Sequence, residues 1–295
     1  MNGYIVTGGA GFIGSHLASR LIRDGHEVVV VDDLSLGRVE NIPKGTTFIK
    51  STCSRLSKIT VRTDGIFHLG IPSSSPMYRD NPGLAGRAIE EFEHVLRFCM
   101  REGCRLVYAS TSSVYNGNPV PWHEDMPIHP TDLYTEARYC MERLARVYHD
   151  LYGVESVGLR LFSVYGPGEE HKGRYANMVS QILWAIKKGE RPVIYGDGSQ
   201  GRDFVYVDDV VEAFIKAMEC NVKCDIFNVG TGKMATFKEV VSIVNEALGT
   251  SVEPIFVENP IKNYVYRTLA DTRKAEKFLG FKSATLLEEG VRRCV

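Results

Sequence analysis

Tyr134 and Arg138 stand four residues apart in the stretch Tyr134-Thr135-Glu136-Ala137-Arg138. On a helix that spacing puts both side chains on one face, one turn apart. A cation beside a phenol favours the phenolate, so Tyr134 is a candidate general acid and base. A group of hydroxyls comes earlier, in Ser110-Thr111-Ser112-Ser113-Val114-Tyr115. Hydroxyls at the C-terminal end of a strand lie on the edge where open α/β sheets bind ligands. The third feature is Thr7-Gly8-Gly9-Ala10-Gly11-Phe12-Ile13-Gly14, directly after the apolar Tyr4-Ile5-Val6. Gly8, Gly11 and Gly14 suit a strand that turns sharply into a helix against the pyrophosphate of a dinucleotide. Gly8 permits the turn, Gly11 the close approach of backbone to phosphate, and Gly14 the packing of helix on sheet.

The elements needed to position these residues are legible as alternating apolar runs and amphipathic stretches. Strands are expected at Tyr4–Thr7, Val28–Val31, Thr47–Ile49, Ile66–Leu69, Leu106–Ser110 and Ser156–Leu161. Helices are expected from about Ile13 to Asp24, Leu84 to Glu102 and Leu133 to Tyr152. The apolar face of the last of these reads Ala137, Met141, Leu144, Tyr148 and Leu151. This is an α/β pattern, a Rossmann-type doubly wound parallel sheet with helices on both faces. Asp32 ends the second strand, about 20 residues after the glycines, where an acid accepts hydrogen bonds from the adenosine ribose hydroxyls and repels a 2′-phosphate. NAD is therefore expected rather than NADP, with Arg38 nearby as the one residue that argues for the phosphorylated form. The organisation expected is a dinucleotide domain over residues 1–165, joined by later strands from about 203–230. A smaller, mixed α/β substrate subdomain then occupies mainly 166–295, interleaved with it. Its segments Tyr175–Lys188, Asp209–Glu219 and Phe237–Leu248 read as helices.

The 295 residues are 44% apolar with a formal net charge of −1. That composition supports a large core and removes a broad electrostatic case for nucleic acid or an anionic membrane. No apolar run reaches membrane-spanning length, and the first strand begins too near Met1 for a signal peptide. The chain reads as cytoplasmic. The seven cysteines, Cys220 and Cys224 included, make no zinc pattern, so reduced and mostly buried thiols are expected and no metal.

Beyond these readings the chain resembles the extended short-chain dehydrogenase/reductase family, in its nucleotide-sugar epimerase and dehydratase branch. The resemblance runs from the glycine loop and Asp32 through Phe67-His68-Leu69, the hydroxyl-rich strand end and the tyrosine helix with Glu142. It continues through Leu159-Arg160-Leu161-Phe162-Ser163-Val164-Tyr165-Gly166-Pro167, Gly196-Asp197-Gly198, Arg202-Asp203-Phe204, Phe227-Asn228-Val229-Gly230 and Leu269-Ala270-Asp271. It implies an isomerase of carbohydrate metabolism that uses NAD on a nucleotide sugar, most like a UDP-sugar 4-epimerase. By the same resemblance Tyr134, Thr111 and position 138 are catalytic. Gly8, Gly11, Phe12, Ile13, Gly14, Asp32, Asp33, Leu69, Tyr134 and Arg138 meet the cofactor. Ser110, Thr111, Ser112, Ser163, Tyr195, Arg202 and Lys262 meet the substrate, with Arg202 on its diphosphate. For Arg202 an ion pair with Asp203 or Asp209 is the competing reading. A homodimer through Leu84–Glu102 and Leu133–Tyr152 is implied as well.

Four positions depart from the family's pattern. Arg138 replaces a lysine that binds the nicotinamide ribose; it keeps the charge but is longer, planar and never neutral. Ile89 stands for a bracing Asn, Ser163 for an Asn near the diphosphate, and Thr52 for an Asp at the adenine. Ser112 and Ser113 occupy the places where dehydratases of the branch carry Asp-Glu, which argues against dehydration. The stretch Lys262–Tyr266 leaves a nucleotide-heptose 6-epimerase open, and Arg138 leaves open a non-catalytic NAD-binding regulator.

Overall fold

Tyr4, Val6, Val28, Val30, Phe67, Val107 and Ala109 pack on one side of a parallel sheet, and Ile5, Val29, Val31, Ile66, Leu106 and Tyr108 on the other. Strand side chains alternate, so near-continuous apolar runs must be covered on both faces. The computed structural model describes residues 2–59, 63–261 and 264–295.

The first half of the chain forms β1 (Gly3–Thr7), α1 (Phe12–Arg23), β2 (Glu27–Asp32), β3 (Thr47–Lys50), β4 (Gly65–His68), α2 (Ser75–Asp80), α3 (Leu84–Glu102), β5 (Arg105–Thr111) and α4 (Leu133–Tyr152). There follow β6 (Ser156–Leu161), β7 (Ser163–Tyr165), α5 (Met178–Lys187), β8 (Val193–Tyr195), β9 (Gly201–Arg202), β10 (Phe204–Tyr206), α6 (Val207–Glu219) and β11 (Cys224–Val229). The last elements are β12 (Ala235–Thr236), α7 (Phe237–Leu248), β13 (Ile255–Val257), α8 (Arg273–Leu279) and α9 (Leu287–Cys294). The main sheet has the order β11-β6-β5-β4-β1-β2-β3. Its strands are all parallel. Helices α2, α3 and α4 cover one face; α1, α6 and α8 cover the other. A separate core unites α5, α7 and α9 with β10.

Chain order reverses between β1 and β4, so the crevice at their C-terminal ends is the switch point where such sheets take ligands. Glycines let the backbone close up there. Gly8 has φ +70, and a Cβ on it would lie 2.5 Å from the Gly70 nitrogen.

Helices α3, α4 and α7 have the limits their sequence predicts, because each ends at a glycine in the left-handed region, Gly103, Gly153 and Gly249. The expected helix from Tyr175 begins instead at Met178, capped by the Asn177 side chain on the Val179 N–H. Tyr175 belongs to the preceding 3-10 turn, Glu170–Tyr175. The face of α4 is as expected at Ala137 and Met141, but Leu151 is 66% exposed, at the end of the helix beyond the sheet's cover. All seven cysteines are free, three buried and four half-buried. Among the described residues no helix is long and apolar enough to cross a membrane.

Candidate functional site

A cleft of about 900 Å³ opens over the switch point. One end is built by the β1–α1 turn. Helix α1 starts at Phe12 with Gly11 as its cap, which brings no side chain to the first-turn N–H groups. Those groups have no partner inside the helix, and they carry the positive end of its dipole. Gly14 is required because a Cβ there would fall 2.1 Å from the Gly8 carbonyl oxygen. At Gly11 a Cβ would meet only that oxygen, at 3.2 Å. The loop thus leaves a cradle free of side chains at the helix N-terminus.

Asp32 ends β2 in the same cleft, accepting N–H bonds from Leu34 at 2.8 Å and Ala10 at 3.0 Å. Burial raises its pKa above the ordinary carboxylate value while those two bonds pull it back down. The acid is held in one orientation, with lone pairs left for a diol. Asp33 is instead bound to Arg87 at 2.5 Å.

The opposite wall comes from β5 and α4. Asp132 caps α4 by accepting from Thr135 N–H, which sets Tyr134 in the first turn, 8% exposed and lining the cleft. The Tyr78 ring packs edge-on at 5.4 Å, and the Arg138 guanidinium lies over the Tyr134 ring at 5.1 Å. Arg138 is buried and donates to two carbonyls, Ala109 at 3.3 Å and Pro72 at 3.1 Å. Its Nε finds no partner among the described residues, nor does the Nε2 of buried His68. Burial and the Arg138 charge push the His68 pKa down to about 3, so His68 is a neutral residue buried behind the cleft. Thr111 lies at the end of β5, its oxygen accepting the Ser113 N–H at 3.2 Å, with its own proton free to donate.

Arg202 enters the cleft from β9. Its guanidinium donates to the carbonyls of Gly201, Tyr266 and Val265 and lies against the rings of Phe237 and Tyr264. Among the described residues no carboxylate pairs with it. Asp203 accepts from Thr231, Gly232 and Ala270, and Asp209 from Ser283 and Thr285. Burial lowers the Arg202 pKa below its usual value. A half-buried cation held by carbonyl dipoles and aromatic rings, with no carboxylate on it among the described residues, is a place for an anion.

The model of the NAD dependent epimerase/dehydratase family matches residues 4–230. The chain belongs to this family. It is 33% identical to the putative UDP-glucose 4-epimerase of Methanocaldococcus jannaschii, over 99% of this chain and 96% of that protein. It is 32% identical to UDP-glucuronic acid decarboxylase 1 of Xenopus tropicalis, over 99% of this chain and 70% of that one. Among solved structures, Thermotoga maritima UDP-glucose 4-epimerase with UDP-glucose superposes with a TM-score of 0.93 at 32% identity, covering 99% and 97% of the two chains.

The family's cofactor is NAD, and the residues present fit it. The side-chain-free cradle takes a diphosphate and Asp32 a ribose diol, with Phe12, Ile13 and Leu69 lining the same cleft. Of the other expected site residues, Ser112 and Ser163 line it too. Ser110 reaches it, but its hydroxyl donates to Glu142 at 2.5 Å and belongs to a buried network. Tyr195, on β8, is 39% exposed and is not part of the lining, because β8 pairs with β13 away from the sheet's edge. Lys262 falls outside the described residues. Asn177, His171, Lys172 and Glu91 line the cleft unforeseen. A helix-cap signal marked Asn177, whereas the others carry no spacing pattern.

Proposed function

We propose that this protein is an NAD-dependent nucleotide-sugar epimerase, interconverting a UDP-sugar and its 4-epimer through a 4-keto sugar. The observation that carries this reading is the meeting of Tyr134, Thr111, the glycine cradle and the unpaired Arg202 in one cleft. When bound, NAD supplies a reversible hydride acceptor. Tyr134, acting as phenolate, takes the proton from the sugar 4-hydroxyl and, as phenol, later returns it. Thr111 donates its hydrogen bond to the same sugar oxygen and orients it. Arg202 holds the diphosphate bidentately, so most of the affinity lies in the nucleotide and the sugar ring can turn to present either face. Ser112 and Ser113 place hydroxyls rather than carboxylates directly after Thr111, which favours epimerisation over dehydration.

The test is to incubate the purified protein with UDP-glucose, UDP-galactose, UDP-N-acetylglucosamine and UDP-glucuronic acid and identify products by NMR. Interconversion of 4-epimers is expected, with Tyr134→Phe losing about 10²-fold or more in turnover. A 4-keto-6-deoxy sugar, or release of carbon dioxide from UDP-glucuronic acid, would replace the epimerase reading by another reaction of the family. Bound NAD with no turnover of any sugar nucleotide would favour the regulator.

A further inference from the structure

The segment 168–176 spans the cleft from rim to rim. Its foot is Glu169, fully buried, which accepts from Lys172 Nζ at 2.6 Å, Ser180 Oγ at 2.5 Å and Asn177 N–H at 3.2 Å. From there Glu170, His171, Lys172, Gly173 and Tyr175 line the cleft. On the glycine-loop side, His171 Nδ1 lies 3.5 Å from Asn41 Nδ2, and Asn41 donates to the Ala10 carbonyl at 3.0 Å. Lys172 Nζ sits 5.3 Å from the centre of the Phe12 ring, the first residue of α1. On the far side, Arg174 and the Tyr175 hydroxyl both donate to one oxygen of Asp80 at the end of α2, at 2.6 and 2.7 Å.

The two attachments differ in kind. The foot is buried and several times bonded. The Asp80 end is exposed, with 74% of the Arg174 and 51% of the Asp80 side chain accessible, so it contributes little and is screened by salt. Between them Gly173 has φ 50 and ψ −122, a conformation open to glycine and strained for other residues. A Cβ at Gly173 would meet nothing within 4 Å, so replacing it acts on the backbone alone.

We propose that segment 168–176 is a latch over the dinucleotide. Lys172, paired with Glu169 at the foot, presents its ammonium beside the helix N-terminus that binds the diphosphate, and Asp80 is the catch that opens before the dinucleotide leaves. The latch rests on the cofactor being NAD and is independent of which sugar is turned over.

Release is measured by loading the protein with radiolabelled NAD and chasing with excess unlabelled NAD. Asp80→Ala and Gly173→Ala are expected to raise the dissociation rate several-fold, and high salt to speed the wild type but not Asp80→Ala. Lys172→Gln is expected to weaken NAD binding by about tenfold, the size of a lost charged hydrogen bond. Unchanged release and affinity in all three variants, with circular dichroism showing them folded, would overturn the latch while leaving the cofactor in place. A wild type that binds no NAD would remove the cofactor and the latch together.

Discussion

Arg138 holds its place by shape as much as by charge. Its fork reaches the Ala109 carbonyl on β5 and the Pro72 carbonyl after β4 while its plane lies over Tyr134. An ammonium group offers no planar fork and no second arm. We predict that Arg138→Ala cuts turnover, because the only cation described over the phenol is gone. Arg138→Lys keeps the charge and is expected to keep or improve activity. It should also lose about 1 kcal/mol of stability, since one of the two guanidinium hydrogen bonds is lost while the Pro72 carbonyl keeps the Tyr78 hydroxyl. Turnover measurements and urea unfolding of the three proteins check this; full activity of Arg138→Ala would reduce Arg138 to a structural staple. At this scale the glycine loop and Asp32 were legible, because covalent spacing alone sets how a strand turns into a helix. The destination of the Ser110 hydroxyl was not, since it is decided by Glu142, 32 residues away. The exposed setting of Tyr195 was hidden for the same reason, as it depends on pairing with β13.

Helix α4 carries the reactive phenol at one end, and its seating is fixed by a buried polar network. Glu142 accepts from Arg160 on β6 at 2.9 and 2.7 Å and from Ser110 on β5. Arg160 also donates to the Tyr115 hydroxyl at 2.6 Å, which donates to Asn228 on β11 at 2.8 Å. Burial works against the Arg160 charge, but Glu142 and Tyr115 outweigh it and raise its pKa above the usual guanidinium value. One helix is thus bonded to three neighbouring strands of the sheet. Glu142→Gln is predicted to cost about 3–5 kcal/mol of stability, because it strands a buried cation. The double change Glu142→Met with Arg160→Met should recover much of that, as read by chemical denaturation. Helix limits were legible wherever a capping side chain and a terminal glycine bracket an apolar period, as in Leu133–Tyr152. The start of α5 was misplaced because Tyr175 and Ala176 extend the apolar pattern past the Asn177 cap.

For the whole molecule, we propose the homodimer that the family resemblance implies, through α3 and α4. Met100, Leu133, Val147, Leu151 and Tyr152 are exposed on those two helices, 66% in the case of Leu151. Light scattering at micromolar concentration is expected to give twice the chain mass, and Leu151→Glu to shift it toward the monomer; a wild-type monomer would remove the proposal. The first six strands of the main sheet and their parallel, doubly wound class were legible in the alternating β and α patterns, whereas their order comes from the structure. The pairing of β11 with β6 is a long-range contact that no local pattern announces. That pairing has a consequence for synthesis. As the nascent chain leaves the ribosome, the outer edge of β6 stays open from Ser156 until Cys224–Val229 arrive. The α1 face of the sheet then waits for Leu279 and Phe281. A bare parallel edge beside an uncovered apolar face invites pairing between neighbouring polysomal chains. Translation therefore has to run nearly to the last helix before this protein can bury what its first half exposes.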